Sequence, residues 1–263
     1  MDYGVTIGRK GSAALYKQGK AWAKLLGLPF VARPRQGTLE QFCQAHGFQA
    51  LLVATHLGPQ VFTSEGILRY HPSMGVPRIR ILERGGTDHL VEACNLKAGD
   101  RVLDCTLGLA ADAAVASFVT GPAGKVVGLE ASPVLWFLVT QGLKDYTLED
   151  DARLTQCLRR IETVWTKAED YLQDVPADSF DVVYFDPMFQ KPVGNSSSMQ
   201  PLRPASYHKP VTEAMVAMAL KAAPRVVIKE RDEELLRSLG AEEIQGGKYS
   251  KVRYGIIRRQ NHG

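Results

Sequence analysis

The chain contains, at residues 180–189, the stretch FDVVYFDPMF. Its apolar and β-branched residues predict a buried strand over residues 180–186, which the Asp-Pro step then ends. At the end of this strand, the Asp186 carboxylate and the carbonyl before Pro187 can each accept a hydrogen bond from an amine, while Phe189 offers a flat face to a planar ring. The set suits the exocyclic amino group of a nucleobase, although Asp-Pro turns also end strands that have no such role.

Strands and helices alternate on both sides of this stretch. Besides residues 180–186, the pattern predicts strands at residues 101–105, 126–130, 163–168, 225–229 and 249–258, and helices at residues 111–120, 133–142, 154–162, 212–222 and 233–239. Strands that alternate with helices indicate an α/β fold, a parallel sheet with helices on both faces. We assign this domain to residues 99–263.

The residues before it predict a smaller α/β domain and a connection. Residues 1–63 contain helical patterns at residues 11–26 and 38–46 and short strand patterns at residues 30–32, 50–54 and 60–63, with a turn at Gly58-Pro59. Residues 64–98 form the predicted linker. It includes a short basic helix over residues 77–84 and a helix over residues 87–96 that Thr87 caps.

Composition narrows the class of protein. The chain has 263 residues, 45% of them hydrophobic and 23% charged, which is typical of a globular protein. The formal net charge of +4 permits a nucleic-acid partner without requiring one. The four cysteines are scattered without paired spacing, so we expect free thiols and no metal site. We also expect no signal peptide, no membrane span and a cytoplasmic protein.

Acidic residues follow four successive predicted strands. The first of these strands leads into a small-residue turn and helix at residues 102–112, in which Gly108 is the sole glycine. A dinucleotide loop of the G-x-G-x-x-G type is therefore not expected. Since the carboxyl ends of parallel strands meet at one sheet edge, the acids should line a ligand site there. They are, in chain order, Asp104 and Asp112, Glu130, Glu169 and Asp170, and Asp186, with Glu130 placed to bind ribose hydroxyls.

This ordered pattern resembles that of class I S-adenosylmethionine-dependent methyltransferases over residues 99–258. It is more similar still to the J-type bacterial methyltransferases that modify guanine N2 in small-subunit ribosomal RNA, on the strength of residues 104–112, 183–189 and 225–229. Met188, where related motifs have a second proline, is the most diagnostic position. Ala110 and Ala111 depart from the glycine and arginine of the family. The resemblance implies S-adenosylmethionine as cofactor, with contacts from Ala111, Asp112, Glu130, Ala131, Glu169, Asp170 and Asp186. Asp104 and Gly108 are further candidate cofactor contacts, and Met188 is a candidate substrate contact.

The resemblance also implies ribosomal RNA, or the small ribosomal subunit, as partner and substrate. Lys229, at the end of a neighbouring predicted strand, is a candidate contact to a phosphate or base edge. Arg78 and Arg80 could form a phosphate-binding face, and His71 could approach from the linker; each of these also fits a solvated or structural role. The alternatives are an amino-methyltransferase acting on DNA adenine or protein glutamine, and a noncatalytic nucleic-acid-binding module.

Overall fold

The computed structural model describes residues 2–9, 11–34, 36–148, 151–187, 200–248 and 250–260. The chain divides into two compact units. Unit 1 comprises residues 1–71, 132–142 and 193–207, and unit 2 comprises residues 72–131, 143–192 and 208–263. Both differ from the linear domains that we expected, because the residues assigned to a linker from 72 onward pack into unit 2 and two later segments pack into unit 1.

Unit 1 is built around a four-stranded sheet in the order β1-β2-β3-β4. Strands β1 and β2 are parallel, as a helical crossover allows, and β2, β3 and β4 form an antiparallel meander. Ser12 caps the first helix, and Thr38 forms a capping box with Gln41 at the second. The elements are β1 (Tyr3–Ile7), α1 (Ala13–Leu26), α2 (Leu39–His46), β2 (Ala50–Thr55), β3 (Gly58–Thr63) and β4 (Gly66–Leu68).

Unit 2 contains a seven-stranded sheet in the order β10-β11-β9-β8-β5-β6-β7. All strands are parallel except β11, which runs antiparallel to both of its neighbours. The strand order reverses between β5 and β8, which makes their carboxyl ends the topological switch point of the sheet. The strands are β5 (Arg101–Asp104), β6 (Lys125–Glu130), β7 (Ile161–Trp165), β8 (Val182–Phe185), β9 (Arg225–Glu230), β10 (Glu243–Gln245) and β11 (Arg253–Arg258).

Helices cover both faces of this sheet. Alternate strand residues such as Leu103, Val183 and Ile228 join one buried cluster with residues of α8, α9 and α10. The intervening residues, such as Val102 and Tyr184, line a small cavity on the other face together with α4 and α5. The helices of unit 2 are α3 (Gly75–Glu83), α4 (His89–Cys94), α5 (Ala111–Thr120), α7 (Ala152–Arg159), α8 (Ala168–Asp174), α9 (Glu213–Ala222) and α10 (Glu233–Ser238). Most of α6 (Pro133–Asp145) and the 3₁₀ helix Gln200–Ala205 belong to unit 1.

The α/β prediction is confirmed, and several local predictions are corrected. Asp88 rather than Thr87 caps α4, because its carboxylate accepts hydrogen bonds from the Leu90 and Val91 amides. The turn between β2 and β3 lies at residues 56–57, so Gly58 and Pro59 belong to a strand. Four short elements, β1, β4, β10 and α8, were not expected from the sequence, and the helix before β7 ends earlier than predicted, at Arg159.

The four cysteines, Cys43, Cys94, Cys105 and Cys157, are free and buried. Within the described ranges, no cluster of three or more His, Cys, Asp or Glu side chains is arranged to hold a metal ion. Among the same residues, no helix is both long enough and apolar enough to cross a bilayer.

Candidate active site

The candidate site lies in unit 2, at the carboxyl ends of β5, β6 and β8. Strand pairing places Asp104 at the last position of β5, level with Gly128 of β6 and Tyr184 of β8. Glu130 ends β6, and Asp186 follows β8 directly. Because all three strands run in the same direction, three of the predicted acids reach the same edge of the sheet, at the point where the strand order reverses.

The loop from β5 to α5 holds the Glu130 carboxylate. The Gly108 amide donates to Glu130 Oε2 at 3.2 Å, and Gly108 has a φ of 51°, in the left-handed region. Ala110, just before α5, also has a left-handed φ, of 61°. Glycine adopts this backbone without strain, so the glycine of the family pattern has a conformational reason and Ala110 accepts the strain instead. Glu130 is thereby held against a loop that brings backbone amides to the sheet edge.

Asp186 is fixed from two directions. Its amide donates to Thr106 Oγ1 at 2.6 Å, which joins the loop after β8 to the loop after β5. Its Oδ2 accepts from Lys229 Nζ at 2.7 Å, across the neighbouring strand β9. The Asp186 side chain remains 28% exposed, so a ligand can reach it. Lys229 therefore contacts the predicted catalytic carboxylate itself.

Asp112, in the first turn of α5, lies at the centre of a buried polar network. Its Oδ2 accepts from the Tyr184 hydroxyl at 2.9 Å and from Lys229 Nζ at 3.3 Å, and its Oδ1 accepts from Arg78 Nη1. The same arginine makes a bidentate pair with Asp88, at 2.7 and 2.9 Å. The Asp112 side chain is 12% exposed. Protein groups thus occupy the oxygens that were expected to contact the cofactor.

Burial and the neighbouring charges shift the pKa values of the carboxyl groups in this cluster. Although burial raises the pKa of Asp112, the cations of Lys229 and Arg78 hold it well below its usual range. Burial raises the pKa of Asp186 to about 6, with the Asp112 charge adding to the effect and Lys229 opposing it. Burial likewise raises the pKa of Asp104 to about 7, against its hydrogen bonds from Thr106.

Carboxylates therefore outnumber cations at this edge. The two cations of Arg78 and Lys229 lie near four carboxylates, Asp88, Asp104, Asp112 and Asp186. Burial is the main cause of the raised pKa values of Asp104 and Asp186, and the charge of Asp112 adds to it. A ligand that brings positive charge relieves this imbalance. S-adenosylmethionine carries a sulfonium and an ammonium group, and Glu130 offers a carboxylate to ribose hydroxyls, so the residues present fit this cofactor.

The other predicted cofactor contacts have different surroundings. Glu169 and Asp170 lie in the first turn of α8, where Glu169 Oε1 accepts from Lys209 Nζ at 2.8 Å and Asp170 is exposed. Ala131 directly follows β6, and its carbonyl accepts from Trp165 Nε1 at 3.3 Å. Ala111 is the first residue of α5 and is partly buried.

The predicted substrate contacts are also distributed. Arg80 is paired with Glu83 and Asp151, at 2.9 and 2.6 Å, on a partly exposed face of α3. His71 is exposed and belongs to unit 1. Pro187 is partly buried beside Asp186. Met188 and Phe189 lie outside the described residues.

Three residues of this site were not singled out from the sequence: Tyr184, Thr106 and Asp88. Tyr184 could have been predicted from the sequence. It precedes Asp186 by two positions, and side chains two positions apart on an extended segment point to the same face. Thr106 connects two separate loops, and Asp88 connects the start of α4 to Arg78 of α3; no spacing in the sequence signals either contact.

Comparisons with known proteins agree with the family and the fold. A family model described as "Putative SAM-dependent methyltransferase" matches residues 71–254. YpiP of Bacillus subtilis, an uncharacterized protein, is 30% identical over 97% of this chain and 98% of its own. The ribosomal RNA small subunit methyltransferase J of Pseudomonas fluorescens is 30% identical over 81% of this chain and 79% of its own. A solved SAM-dependent methyltransferase from Neisseria gonorrhoeae shares the fold, with 18% identity, a TM-score of 0.58 and coverage of 97% and 95% of the two chains.

Proposed function

Since the chain belongs to the family of S-adenosylmethionine-dependent methyltransferases, we propose that it methylates the exocyclic N2 of a guanine in small-subunit ribosomal RNA. S-adenosylmethionine is its cofactor. The choice of substrate is supported by the relatives named as ribosomal RNA small subunit methyltransferases. On this proposal the protein works in the cytoplasm, on the RNA or on the small subunit itself.

One observation carries the proposal: the Asp186 carboxylate is accessible at the switch point of the sheet and is already oriented by Lys229 and Thr106. Lys229 binds Oδ2, and we assign Oδ1 to the amine of the base. When the N2–H group donates to Oδ1, the electron density on N2 rises. This rise offsets the delocalisation of the N2 lone pair into the ring. Because the acceptor is positioned before substrate arrives, no reorganisation is needed at the reaction step.

When bound, the cofactor supplies an electrophilic methyl group on its sulfonium. The nitrogen gains this methyl and gives up one proton, and Asp186 Oδ1 is placed to receive that proton. Glu130 would hold the ribose hydroxyls, with the Gly108 amide keeping its carboxylate oriented. The carbonyl of Asp186, which precedes Pro187, is the second acceptor for the amine, and Phe189 is proposed to stack on the base.

Arg78, Asp112 and Tyr184 act in this scheme as positioning residues. Asp112 draws Lys229 and Arg78 together, and Tyr184 donates to the same carboxylate. The network fixes the Lys229 ammonium beside Asp186, so that the catalytic carboxylate keeps one orientation. For Arg78 this role replaces the phosphate contact considered from the sequence, since two carboxylates bind its guanidinium.

The substrate is tested by methylation of small ribosomal subunits, and of RNA extracted from them, taken from a strain that lacks this protein. After transfer, the RNA is digested and its nucleosides are separated by mass. We expect N2-methylguanosine at one position. Methylation of adenine N6 or of a protein glutamine would reject the guanine assignment, and the absence of any transfer would favour a binding module.

Replacing Glu130 by alanine is expected to weaken S-adenosylmethionine binding about 10- to 100-fold, because hydrogen bonds to a charged acceptor contribute about 1.5–3 kcal/mol. Calorimetric titration of the cofactor measures this. Glu162→Ala is the matched control, since Glu162 lies on the next strand in an exposed pair with Lys125. Equal affinity in Glu130→Ala and the control would remove Glu130 from the cofactor site.

The pH dependence of kcat/KM should follow Asp186, which must be ionised to accept from the amine. With a pKa of about 6, the rate should reach half of its plateau near pH 6 and fall as the pH drops further. Lys229 opposes the rise in this pKa, so Lys229→Met should move the midpoint upward by about one unit or more. A midpoint that Lys229→Met leaves unchanged would separate Lys229 from the titrating group.

A further inference from the structure

The positive charge of the chain is concentrated at its start. Residues 1–71 contain eight Lys and Arg but three Asp and Glu, a net charge of +5, whereas the whole chain has a net charge of +4. The remaining residues, 72–263, therefore carry −1. The small N-terminal part thus accounts for the basic character of the protein, while the unit that holds the carboxylate cluster is close to neutral.

Three of these cations form a row on α1. Lys17, Lys20 and Lys24 are exposed, and their spacing of three and four residues places them on one face of the helix. The buried face of the same helix contains Leu15, Gly19, Ala23 and Leu26. Lys20 lies over the Tyr16 ring at 5.9 Å. The helix sequence AALYKQGKAWAKLL contains no acidic residue, so the lysine row has no neutralising group on its own element.

A second basic group belongs to the loops of the same unit. Arg9 follows β1, and Arg33 follows Phe30, which forms a parallel bridge with Val5 of that strand. The Nε of Arg33 is buried and has no hydrogen-bond partner among the residues that the structure describes. Burial, and then the like charge of Arg9, lower the pKa of Arg33. Because the like charges of Arg9 and Arg33 repel each other, an anion near both guanidinium groups would be stabilised.

Nine basic residues of unit 2 are neutralised by carboxylates, whereas others, among them the exposed Lys97, Lys144 and Lys221, have no ion pair in the described part of the chain. Arg78, Arg80, Arg101, Lys125, Lys209, Lys229, Arg253, Arg258 and Arg259 all form ion pairs with carboxylates. In the described part of the chain, none of Arg9, Lys17, Lys20, Lys24 or Arg33 is found in such a pair. Lys24 lies in the last turn of α1, where the helix dipole favours a cation, but that explanation does not extend to Lys17 and Lys20.

We propose that α1 and the Arg9–Arg33 loops of unit 1 form a docking surface for the phosphate backbone of RNA. The proposal rests on the proposed function and names a surface through which that substrate would be held. Lys17 and Lys24 are seven residues apart, about 10 Å along the helix. A nucleic-acid strand offers about three phosphates over that length, at about 3.4 Å of axis each. Such contacts position RNA without reading its sequence.

The test compares two triple variants that remove the same charge. Lys17→Gln/Lys20→Gln/Lys24→Gln changes the surface, and Lys97→Gln/Lys144→Gln/Lys221→Gln removes three exposed lysines of unit 2. The probe is a fluorescein-labelled RNA duplex of about 20 base pairs, titrated by anisotropy between about 50 and 300 mM KCl. We expect the surface variant to bind about 10- to 100-fold more weakly, with a salt slope smaller by about 2–3, because each neutralised phosphate contributes about 0.7–0.9. The control should stay within about two-fold of wild type.

Equal losses in both triple variants, or an unchanged affinity in the surface variant, would overturn the docking surface. A surface variant that loses binding to phosphatidylserine vesicles while its affinity for RNA is unchanged would also overturn the proposal, and would make the occupant a lipid surface. Arg9→Gln/Arg33→Gln should also weaken RNA binding, and thermal unfolding checks that each variant is folded. RNA binding needs no methyl transfer. A surface confirmed by anisotropy in a protein that makes no N2-methylguanosine would therefore reject the proposed function and leave the surface standing.

Discussion

Replacing Asp186 by alanine is expected to lower kcat for methyl transfer about 10²- to 10³-fold, the usual cost of removing a preorganised electrostatic group from an active site. The carboxylate is partly exposed at the switch point and is oriented by Lys229, while Thr106 holds the backbone amide of the same residue. Without it, the amine loses the hydrogen bond that raises its electron density. Single-turnover transfer to small ribosomal subunits measures the effect.

Two further variants make this prediction specific. Asp186→Asn keeps an acceptor oxygen but loses the charge, so its rate should lie between those of Asp186→Ala and wild type. Asp174→Ala removes an exposed aspartate in α8 and should behave like wild type. Calorimetry with the cofactor shows whether each variant is folded and binds. A rate for Asp186→Ala within about five-fold of wild type would exclude Asp186 from the chemistry, since group removal of this kind costs far more.

Replacing Asp112 by asparagine is expected to lower the free energy of unfolding by about 3–5 kcal/mol, the range for a buried ion pair that loses one partner. Asp112 compensates both Arg78 and Lys229 while its side chain is only 12% exposed. The neutral amide would leave Lys229 with Asp186 alone and Arg78 with Asp88 alone. Urea unfolding at neutral pH measures the change.

Glu162→Gln is the control for stability, because its pair with Lys125 is exposed on both sides and should contribute at most about 1 kcal/mol. The pH dependence adds a second check. The folded pKa of Asp112 lies well below the unfolded value of about 3.9. Its contribution is therefore complete above about pH 5 and is lost as the pH falls through the folded pKa. A deficit that grows below about pH 4, or one no larger than that of Glu162→Gln, would contradict the role given to Asp112.

Much of the sheet could be predicted from local sequence, because buried parallel strands are short apolar runs with clear ends. Helix α5 was predicted with its observed bounds, and α1 and α9 to within two residues. The strand β1 was missed because Tyr3–Ile7 is too short and too mixed in composition to stand out. It forms through pairing with β2, 47 residues away in register. Local patterns carry no information about such a partner.

The site divides in the same way. The positions of Glu130 and Asp186 could be predicted, because an acid at the end of a buried strand lies at the carboxyl edge of a parallel sheet. The structural role of Asp112 and Arg78 could not be predicted, because their contacts join α3, α4, α5 and β9. The Lys229–Asp112 pair alone spans 117 positions in the sequence. A spacing rule cannot identify which cation a carboxylate will meet across such a distance.

The amino-acid sequence by itself determined the fold class, the alternation of the longer strands and helices in unit 2 and the edge at which acids gather, since these follow from the periodicity of apolar residues and the polarity at strand ends. Tertiary structure decided which of those acids remain available to a ligand. Packing brings Arg78 and Lys229 against Asp112, because buried charge must be compensated, and leaves Asp186 partly exposed with a raised pKa. The electrostatic surroundings in the folded protein therefore distinguish the paired Asp112 from the more accessible Asp186.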